Sequence, residues 1–251
     1  MGHKVQPRIH RTQVIYTWDS RWYSKNSYAM FARQDLKIRE YLETKFKEAG
    51  VSSIAVERSA KNMTVTVFVA KPGMIIGKGG QGLDEVRKYI ERQILQHKLK
   101  VKLNVREVRS PALSANLVAQ SIVADIEKRL PFRRAMKSAM ERVMKAGGKG
   151  IKIVLSGRLN GAEIARTEKM HVGTVPLITL RSDVEFCSTA AQTLQGKIGV
   201  KVWICHGEVF GRKDILAESA EAERREATNN RRNERGQVRP AEKLTSRVVK
   251  K

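Results

Sequence analysis

The residues with the clearest chemical potential are five glycines gathered around Lys78 in the stretch PGMIIGKGGQGL, residues 72–83. Such loops often cradle phosphate groups, because backbone amides approach an anion closely where side chains are missing. The spacing from Gly77 to Gly82 satisfies the glycine fingerprint of dinucleotide-binding folds. That fingerprint also needs a strand running into the turn and an acidic residue about 20 positions later, where this chain has the basic segment 98–102. A dinucleotide site is therefore strongly disfavoured.

The phosphate loop of nucleotide hydrolases does not fit the same stretch. That loop needs four residues between its glycines and Ser or Thr after the lysine, whereas three residues separate Gly73 from Gly77 and Gly79 follows Lys78. The remaining interpretation is a G-x-x-G loop that joins a short helix to a longer one and receives a nucleic-acid backbone. A flexible glycine turn stays the alternative. The candidate RNA-binding loop comprises Ile76, Gly77, Lys78, Gly79 and Gly80.

The spacing of apolar residues predicts the elements that position this loop. Helical spacing and strand alternation give a helix at 35–49, strands at 51–58 and 63–69, a helical turn at 72–76, a helix ending near residue 98 and a strand at 99–106. This α-β-β-α-α-β order places the glycine loop between two helices. The last strand alternates apolar residues with Lys100, Lys102 and Arg106, so one of its faces is basic.

A second α+β unit follows a boundary expected at Ser110-Pro111, since proline disfavours helix at the residue before it. The pattern predicts helices at 114–130 and 132–145 and strands at 151–158, 162–171, 180–190 and 197–206. We expect the two helices to pack on an antiparallel sheet as two layers. The expected division is a basic N-terminal extension at 1–29, a first domain at 30–110, a second at 111–210 and a basic, disordered tail at 211–251.

The charge of the chain points to a polyanionic partner. The sequence carries 49 Lys and Arg against 25 Asp and Glu, a net charge of +24, which phosphate groups would neutralise. No apolar run reaches the roughly 18 residues of a membrane span and the first residues lack a secretory signal, so a cytoplasmic protein without membrane attachment is expected. The two cysteines and scattered histidines indicate no metal site, and neither a cofactor nor catalytic residues are expected.

Several cations stand where they can meet RNA. Arg133, Arg134 and Lys137 share one face of the second helix of the second unit, opposite its apolar side. A merely solvated helical face is the alternative. Arg158 and Arg166 flank a strand turn and either clamp RNA or pair with neighbouring glutamates.

Aromatic residues of the N-terminal extension lie among cations. Trp18 and Trp22 stand close in sequence to Arg11 and Arg21. The rings either stack on bases while the cations meet phosphate, or they anchor the extension onto the first domain. Both interpretations remain open at this point.

The motifs together resemble a known family. Residues 30–108 resemble a type II K-homology domain with its Ile-Gly-x-x-Gly loop at 76–80. On both sides the chain resembles the family of bacterial small ribosomal subunit protein three, through GHKVQP at 2–7, Trp18 to Tyr23, FRRAMK at 132–137, SGRL at 156–159, GAEIAR at 161–166 and GKIGVKVW at 196–203. These motifs follow one another in the family's order over about 1–210.

The resemblance implies a structural, non-catalytic RNA-binding protein of the small-subunit head. It places Arg133, Arg134 and Lys137 at the messenger RNA entrance, where they hold the incoming message and help to unwind it. The implied partners are ribosomal RNA, messenger RNA and the neighbouring small-subunit proteins ten and fourteen. The implied ribosomal RNA contacts are Gly2, His3, Lys4, Arg11, Trp18, Arg21, Trp22, Arg158 and Arg166.

Two rival functions fit parts of the pattern. A free-standing RNA-binding regulator would use the glycine loop to grip about four nucleotides. An enzyme acting on nucleic acid would need a nucleotide-binding loop or a metal cluster, and the sequence offers neither. The ribosomal interpretation accounts for more of the chain than either rival.

Overall fold

The first half of the chain folds around a four-stranded sheet. The computed structural model describes residues 4–59, 62–96 and 99–210. The elements of this half are α1 (Pro7–His10), β1 (Ser20–Arg21), α2 (Tyr28–Lys45), β2 (Val51–Arg58), β3 (Asn62–Val69), α3 (Pro72–Ile76), α4 (Gln81–Tyr89) and β4 (Lys100–Glu107). The predicted α-β-β-α-α-β order is present from α2 to β4, and two short elements precede it.

The strands of this first sheet lie in the order β1-β2-β3-β4. β2 and β3 are antiparallel, as their short connection predicts, whereas β4 runs parallel to β3 because α3 and α4 cross between them. Val56, Val65 and Leu103 are aligned across the three strands. This apolar face packs on Ile38 and Leu42 of α2, which are fully buried. The alternating valines thus build the first core.

The second half places two helices on an antiparallel sheet. Its elements are α5 (Ala115–Glu127), α6 (Phe132–Lys145), β5 (Gly150–Gly157), β6 (Arg166–Gly173), β7 (Ser182–Thr193) and β8 (Gly196–Glu208). The strand order is β6-β5-β8-β7, and every neighbouring pair is antiparallel. Ile122, Met136 and Ile153 are buried in the core between the helices and the sheet. The expected α+β class and the α-α-β-β-β-β order are confirmed.

Three helices differ from the prediction, and one of them is α5, which ends at Glu127 and not at residue 130. α2 begins at Tyr28 and not at Asp35. Its first turns were not predicted because their apolar residues, such as Tyr28, are exposed and form no buried stripe at helical spacing. Leu36, expected in that stripe, is 57 % exposed. The helix after the glycine loop changes from α to one π-helical turn at Ile90–Ile94. Helical structure ends at Ile94, short of the expected end near residue 98, and Gln96 has a φ of +50°, with which a right-handed helix cannot continue.

Two hydrophobic cores lie within one compact unit. The first core is built from β2, β3 and β4 with α2, α3 and α4, and the second from α5, α6 and the second sheet. The side-chain amide of Asn116 on α5 donates to the carbonyl oxygens of Val51 at 3.1 Å and Ser52 at 2.9 Å, which links the halves. A division near residue 110 stays a prediction, and the predicted tail at 211–251 lies outside the described residues. Over the described ranges, no helix has the length and apolar character to cross a bilayer.

Candidate nucleic-acid interface

The glycine loop adopts a backbone conformation that favours glycine. Gly77, Gly79 and Gly80 have φ angles of +67°, +60° and +82°, which other residues rarely adopt. Just beyond the loop, a Cβ on Gly82 would stand 2.6 Å from the carbonyl oxygen of Ile75. The glycines therefore serve two purposes, since three shape the loop and Gly82 lets α4 approach α3 closely.

The outer side of the loop is open. A Cβ on Gly79 or Gly80 would meet no atom within 4 Å. α4 begins at Gln81 without a side-chain cap, so the amides of its first turn can donate to an anion. Ile75 is buried and holds the loop on the first core, whereas Ile76 is 39 % exposed and borders the opening. This geometry can accept a phosphate group.

The basic face of β4 lies at an edge of the first sheet. Lys100 and Lys102 are exposed and Arg106 is half-buried. The register places the two lysines beside Asn62 and Thr64 of β3, on the side opposite the core. α3, which leads into the glycine loop, contacts β4. The predicted basic face and the predicted loop therefore belong to neighbouring elements.

The predicted cation cluster stands at the beginning of α6. Arg133, Arg134 and Lys137 are all exposed. The first turn has no acidic residue and no side-chain cap, so its amides and its guanidinium groups add to one positive field. Nη2 of Arg133 lies 3.2 Å from Oε1 of Glu168, which also lies 3.7 Å from Nε of Arg166. The structure thus brings Arg166 together with the α6 cluster through one shared carboxylate.

Arg11 is a correction to the predicted RNA contacts, because this residue is internal. Its side chain is fully buried. The guanidinium donates hydrogen bonds to the backbone carbonyl oxygens of Ser182 at 2.7 Å, Pro7 at 3.0 Å, and Pro176, Leu177 and Thr179 at 3.1 Å. Five carbonyl dipoles replace water around the charge. Arg11 therefore fastens the amino-terminal segment to β7 and the loop before it.

Tyr16 strengthens the same attachment. Its hydroxyl donates a hydrogen bond to the carboxylate of Asp183, and both residues are buried. Burial in the first place, and then the negative charge of Asp183, raises the pKa of Tyr16 far above its ordinary value of about 10. The phenol therefore stays protonated and keeps donating at neutral pH.

Trp22 is an anchor, whereas Trp18 is a surface residue. Nε1 of Trp22 donates to Oδ2 of Asp35 at 2.8 Å, and its ring packs against Tyr28 and Phe31 with centroid distances of 5.1 and 5.6 Å. Trp18 is 62 % exposed. Of the two interpretations left open by the sequence, anchoring describes Trp22, and Trp18 remains accessible to RNA.

The remaining predicted contacts have varied surroundings. Nε of Arg158 donates to the carbonyl oxygen of Ala162 at 2.9 Å, across the turn after β5. This bond stabilises the turn and still leaves the side chain exposed. The other described members, all at least partly exposed, are Lys4, Arg21 and Arg166. Gly2 and His3 lie outside the described residues.

The described residues show no metal centre, and Cys187 is not a reactive thiol. Over the ranges that the structure covers, no group of three or more His, Cys, Asp and Glu side chains is placed to hold an ion. Burial, followed by the charge of Glu185, raises the pKa of the Cys187 thiol to about 11. Cys187 is therefore a protonated, unreactive thiol at neutral pH.

One group of cations, formed by three lysines, is not predicted from the sequence. The register of the second sheet places Lys152, Lys169 and Lys201 on the side that faces away from α5 and α6. The three lysines come from three strands, so only the pairing of the strands brings them together. The sole signal in the sequence is a lysine at an outward-facing position of three of the four predicted strands.

Comparison with known proteins gives a consistent result. A model described as KH domain matches residues 37–113, and a model described as Ribosomal protein S3, C-terminal domain, matches residues 122–204. Small ribosomal subunit protein uS3 of Exiguobacterium sp. is 48 % identical over 221 residues, which are 88 % of this chain and 100 % of the relative. The protein of the same name from Albidiferax ferrireducens is 43 % identical over 254 residues, 100 % of this chain and 84 % of the relative. The protein of the same name from Acidovorax sp. is 45 % identical over 244 residues, which are 97 % of this chain and 83 % of the relative.

Proposed function

Because this chain belongs to the family of small ribosomal subunit protein uS3, we propose that the beginning of its α6 lines the entrance through which messenger RNA reaches the subunit. Family membership confirms the expected K-homology domain and a structural, RNA-binding role in the ribosome, with no enzymatic activity. The proposal adds that Arg133, Arg134 and Lys137 hold the incoming message and help to unwind it. Ribosomal RNA of the head and small-subunit proteins ten and fourteen are the proposed neighbours.

The observation that carries this proposal is a conflict between charge and helix polarity in α6. The start of a helix bears a partial positive charge, where an acidic residue gains about 0.3–1 kcal/mol and a cation is unfavourable. Arg133 and Arg134 occupy this turn, which holds no acidic residue. If these positions served only the stability of the helix, negatively charged side chains would be favoured there. A bound phosphate would remove the conflict, because the first two amides of the helix, of Phe132 and Arg133, and both guanidinium groups can donate to it.

The geometry also suits a strand that moves. Exposed cations on one helical face bind phosphates without reading bases. The ion pair between Arg133 and Glu168 is exposed, so it contributes only about 0–1 kcal/mol and a phosphate can replace the carboxylate. Phe132 and Met136 are buried and fix the helix on its core. A rigid cationic surface of this kind retains a single strand while duplex opens ahead of it.

Changing Arg133, Arg134 and Lys137 together to Gln in the full chain tests the entrance role. We expect small subunits with this variant to assemble normally and to translate a message with a stable hairpin several-fold more slowly, because fewer phosphates are held. An unstructured message should be translated at nearly the normal rate. The measurement is the translation rate of paired messages that differ only in the hairpin.

A control variant removes the same charge elsewhere on exposed positions, through Lys37→Gln, Lys47→Gln and Lys128→Gln. The control should translate both messages equally well. Equal slowing of both messages by the α6 variant, or a hairpin defect of the same size in the control, would contradict the proposal.

The glycine loop is proposed as a second RNA contact, which its open side and the start of α4, where no side chain caps the helix, support. Gly79 is the position that tests this, because its φ of +60° and ψ of +21° are tolerated by Asn and Asp. Gly77 is unsuitable, since its φ of +67° with ψ of −173° belongs almost only to glycine.

Gly79→Asp and Gly79→Asn form a matched pair that differs in one negative charge. We expect Gly79→Asp to weaken binding of the full chain to small-subunit ribosomal RNA by about tenfold, because the carboxylate repels phosphate at close range. Gly79→Asn should bind within about twofold of the unaltered chain. The measurement is a titration of labelled RNA at fixed salt. Equal RNA affinities of the two variants would show that the loop is a structural turn and not an RNA contact.

A further inference from the structure

A second charged surface lies on the side of the second sheet that faces away from α5 and α6. We call it the lysine face, and it consists of Lys152 on β5, Lys169 on β6, and Lys197 and Lys201 on β8. Val154 pairs with Lys169 on one side and with Lys201 on the other, and Lys152 is two positions away along β5. Since neighbouring strands are about 4.8 Å apart, the backbones of these three lysines lie within roughly 10 Å of one another.

Among the strand residues that the structure describes, no exposed carboxylate lies on this side of the sheet. Besides Asp183, the other positions that the register places there are uncharged or histidine: Gly150, Val154, Ser156, Thr167, His171, Gly173, Val184, Phe186, Ser188, Ala190, Gln192, Gly199, Trp203, Cys205 and Gly207. Asp183, at the far end of β7, is buried and accepts the hydrogen bond of Tyr16. Within the described part of the chain, none of the four lysines forms an ion pair. Among the described residues, their charges therefore have no acidic partner.

Trp203 gives the lysine face a fixed support. Nζ of Lys152 lies 5.5 Å from the centroid of the Trp203 ring, which packs against Phe186 at 5.0 Å. Partial burial, followed by the charges of Lys4 and Lys169, lowers the pKa of Lys152 below its ordinary value. The like charges therefore repel one another on a rigid surface, and an anion that lies between them relieves this repulsion.

The composition of the face distinguishes between classes of partner. Protein interfaces are depleted in lysine and contain an apolar centre. This face has four lysines, and its aromatic rings, Phe186 and Trp203, are half-buried, with Trp203 beside Lys152. Lysine ammonium groups on flexible stems bind phosphates as point charges, without the fixed geometry that base recognition needs. A sugar-phosphate backbone matches these properties better than an acidic protein surface.

We propose that the lysine face is a further RNA-binding surface, which holds the phosphate backbone of ribosomal RNA. The proposal rests on the proposed function, since it assigns a second contact area to the same RNA-binding protein. It adds a sheet face that is separate in sequence from the glycine loop and from the beginning of α6.

The variant that tests this carries Lys169→Gln and Lys201→Gln in the full chain, because both side chains are exposed and neither has an acidic partner. The probe is bacterial small-subunit ribosomal RNA freed of protein, titrated at several salt concentrations. We expect about tenfold weaker binding at moderate salt. The slope of log affinity against log salt should become less negative by about 1.4–1.8, since each lost phosphate contact removes about 0.7–0.9.

A matched control carries Lys128→Gln and Lys145→Gln, which remove the same charge from exposed helix ends. The control should bind within about twofold of the unaltered chain, and unchanged melting temperatures should show that both variants fold.

Normal RNA binding by the lysine-face variant overturns this inference alone, and so does an equal loss of RNA binding in the control. Failure of the unaltered chain to bind the RNA overturns the proposed function as well. Normal RNA binding together with loss of a neighbouring protein from reconstituted subunits would identify an acidic protein as the ligand and overturn the RNA assignment.

Discussion

The amino-terminal segment and the beginning of α6 use arginine in opposite ways. Arg11 is fully buried and donates to five backbone carbonyls. Arg134 is exposed in a turn that holds no acidic residue. The sequence predicts that both residues contact RNA. The difference teaches that a cation marks a nucleic-acid contact only where the fold leaves it hydrated, because a buried charge must take its hydrogen bonds from the protein itself.

The largest expected effect comes from Arg11→Met, compared with Arg134→Met. Removing the buried guanidinium takes one donor from five carbonyl oxygens, of which that of Thr179 keeps the hydrogen bond from the Ser182 amide. We therefore expect the free energy of unfolding to fall by about 3 kcal/mol or more. The same change at exposed Arg134 should alter it by less than about 0.5 kcal/mol. Urea denaturation of the full chain measures both values. Similar decreases in the free energy of unfolding of the two variants would contradict the difference between the buried and the exposed arginine.

Tyr16→Phe should have an intermediate effect that depends on pH. Loss of the hydrogen bond to Asp183 is expected to lower the free energy of unfolding by about 1–3 kcal/mol at neutral pH. Folding raises the pKa of Tyr16, so its stabilising contribution is complete below the unfolded value of about 10 and declines as pH rises above it. The deficit of the variant should therefore shrink above pH 10. A deficit that stays constant across that range in denaturation curves would contradict the buried, protonated phenol.

The smallest expected effect is a gain in stability from Arg134→Glu. A negative charge in the first turn of α6 interacts favourably with the helix dipole, so the free energy of unfolding should rise by about 0.3–1 kcal/mol. RNA affinity should fall in the same variant, and Arg134→Gln should lie between it and the unaltered chain in both measurements. If Arg134→Glu destabilised the chain or left RNA binding unchanged, the beginning of α6 would be an ordinary surface turn.

The fold was predictable from sequence wherever the signal is local. α6 was predicted with both ends correct, since its buried residues repeat at helical spacing and Gly147-Gly148 follows. The first turns of α2 escaped prediction, because Tyr28 is apolar and yet exposed. The π-helical turn at Ile90–Ile94 also has no separate signal, because its apolar spacing resembles that of an α-helix over so few residues.

The candidate site follows the same rule. The glycine loop and the α6 cations each belong to one short segment, so their spacing predicted their arrangement. The lysine face depends on the pairing of β5 with β6 and β8, which the order of residues within any one strand does not specify. The burial of Arg11 depends on acceptors that include Ser182, 171 positions away. Contacts between distant segments leave no mark in a local pattern.

The five carbonyl oxygens that accept hydrogen bonds from Arg11 also determine when the amino-terminal segment can dock during biosynthesis. Arg11 is among the first residues to be made, and four of its acceptors, Pro176, Leu177, Thr179 and Ser182, are made much later. A nascent chain interrupted before these residues has only the Pro7 carbonyl to offer. The leading end of such a fragment stays undocked and open to proteases, so its attachment reports that synthesis has passed the last of the four acceptors.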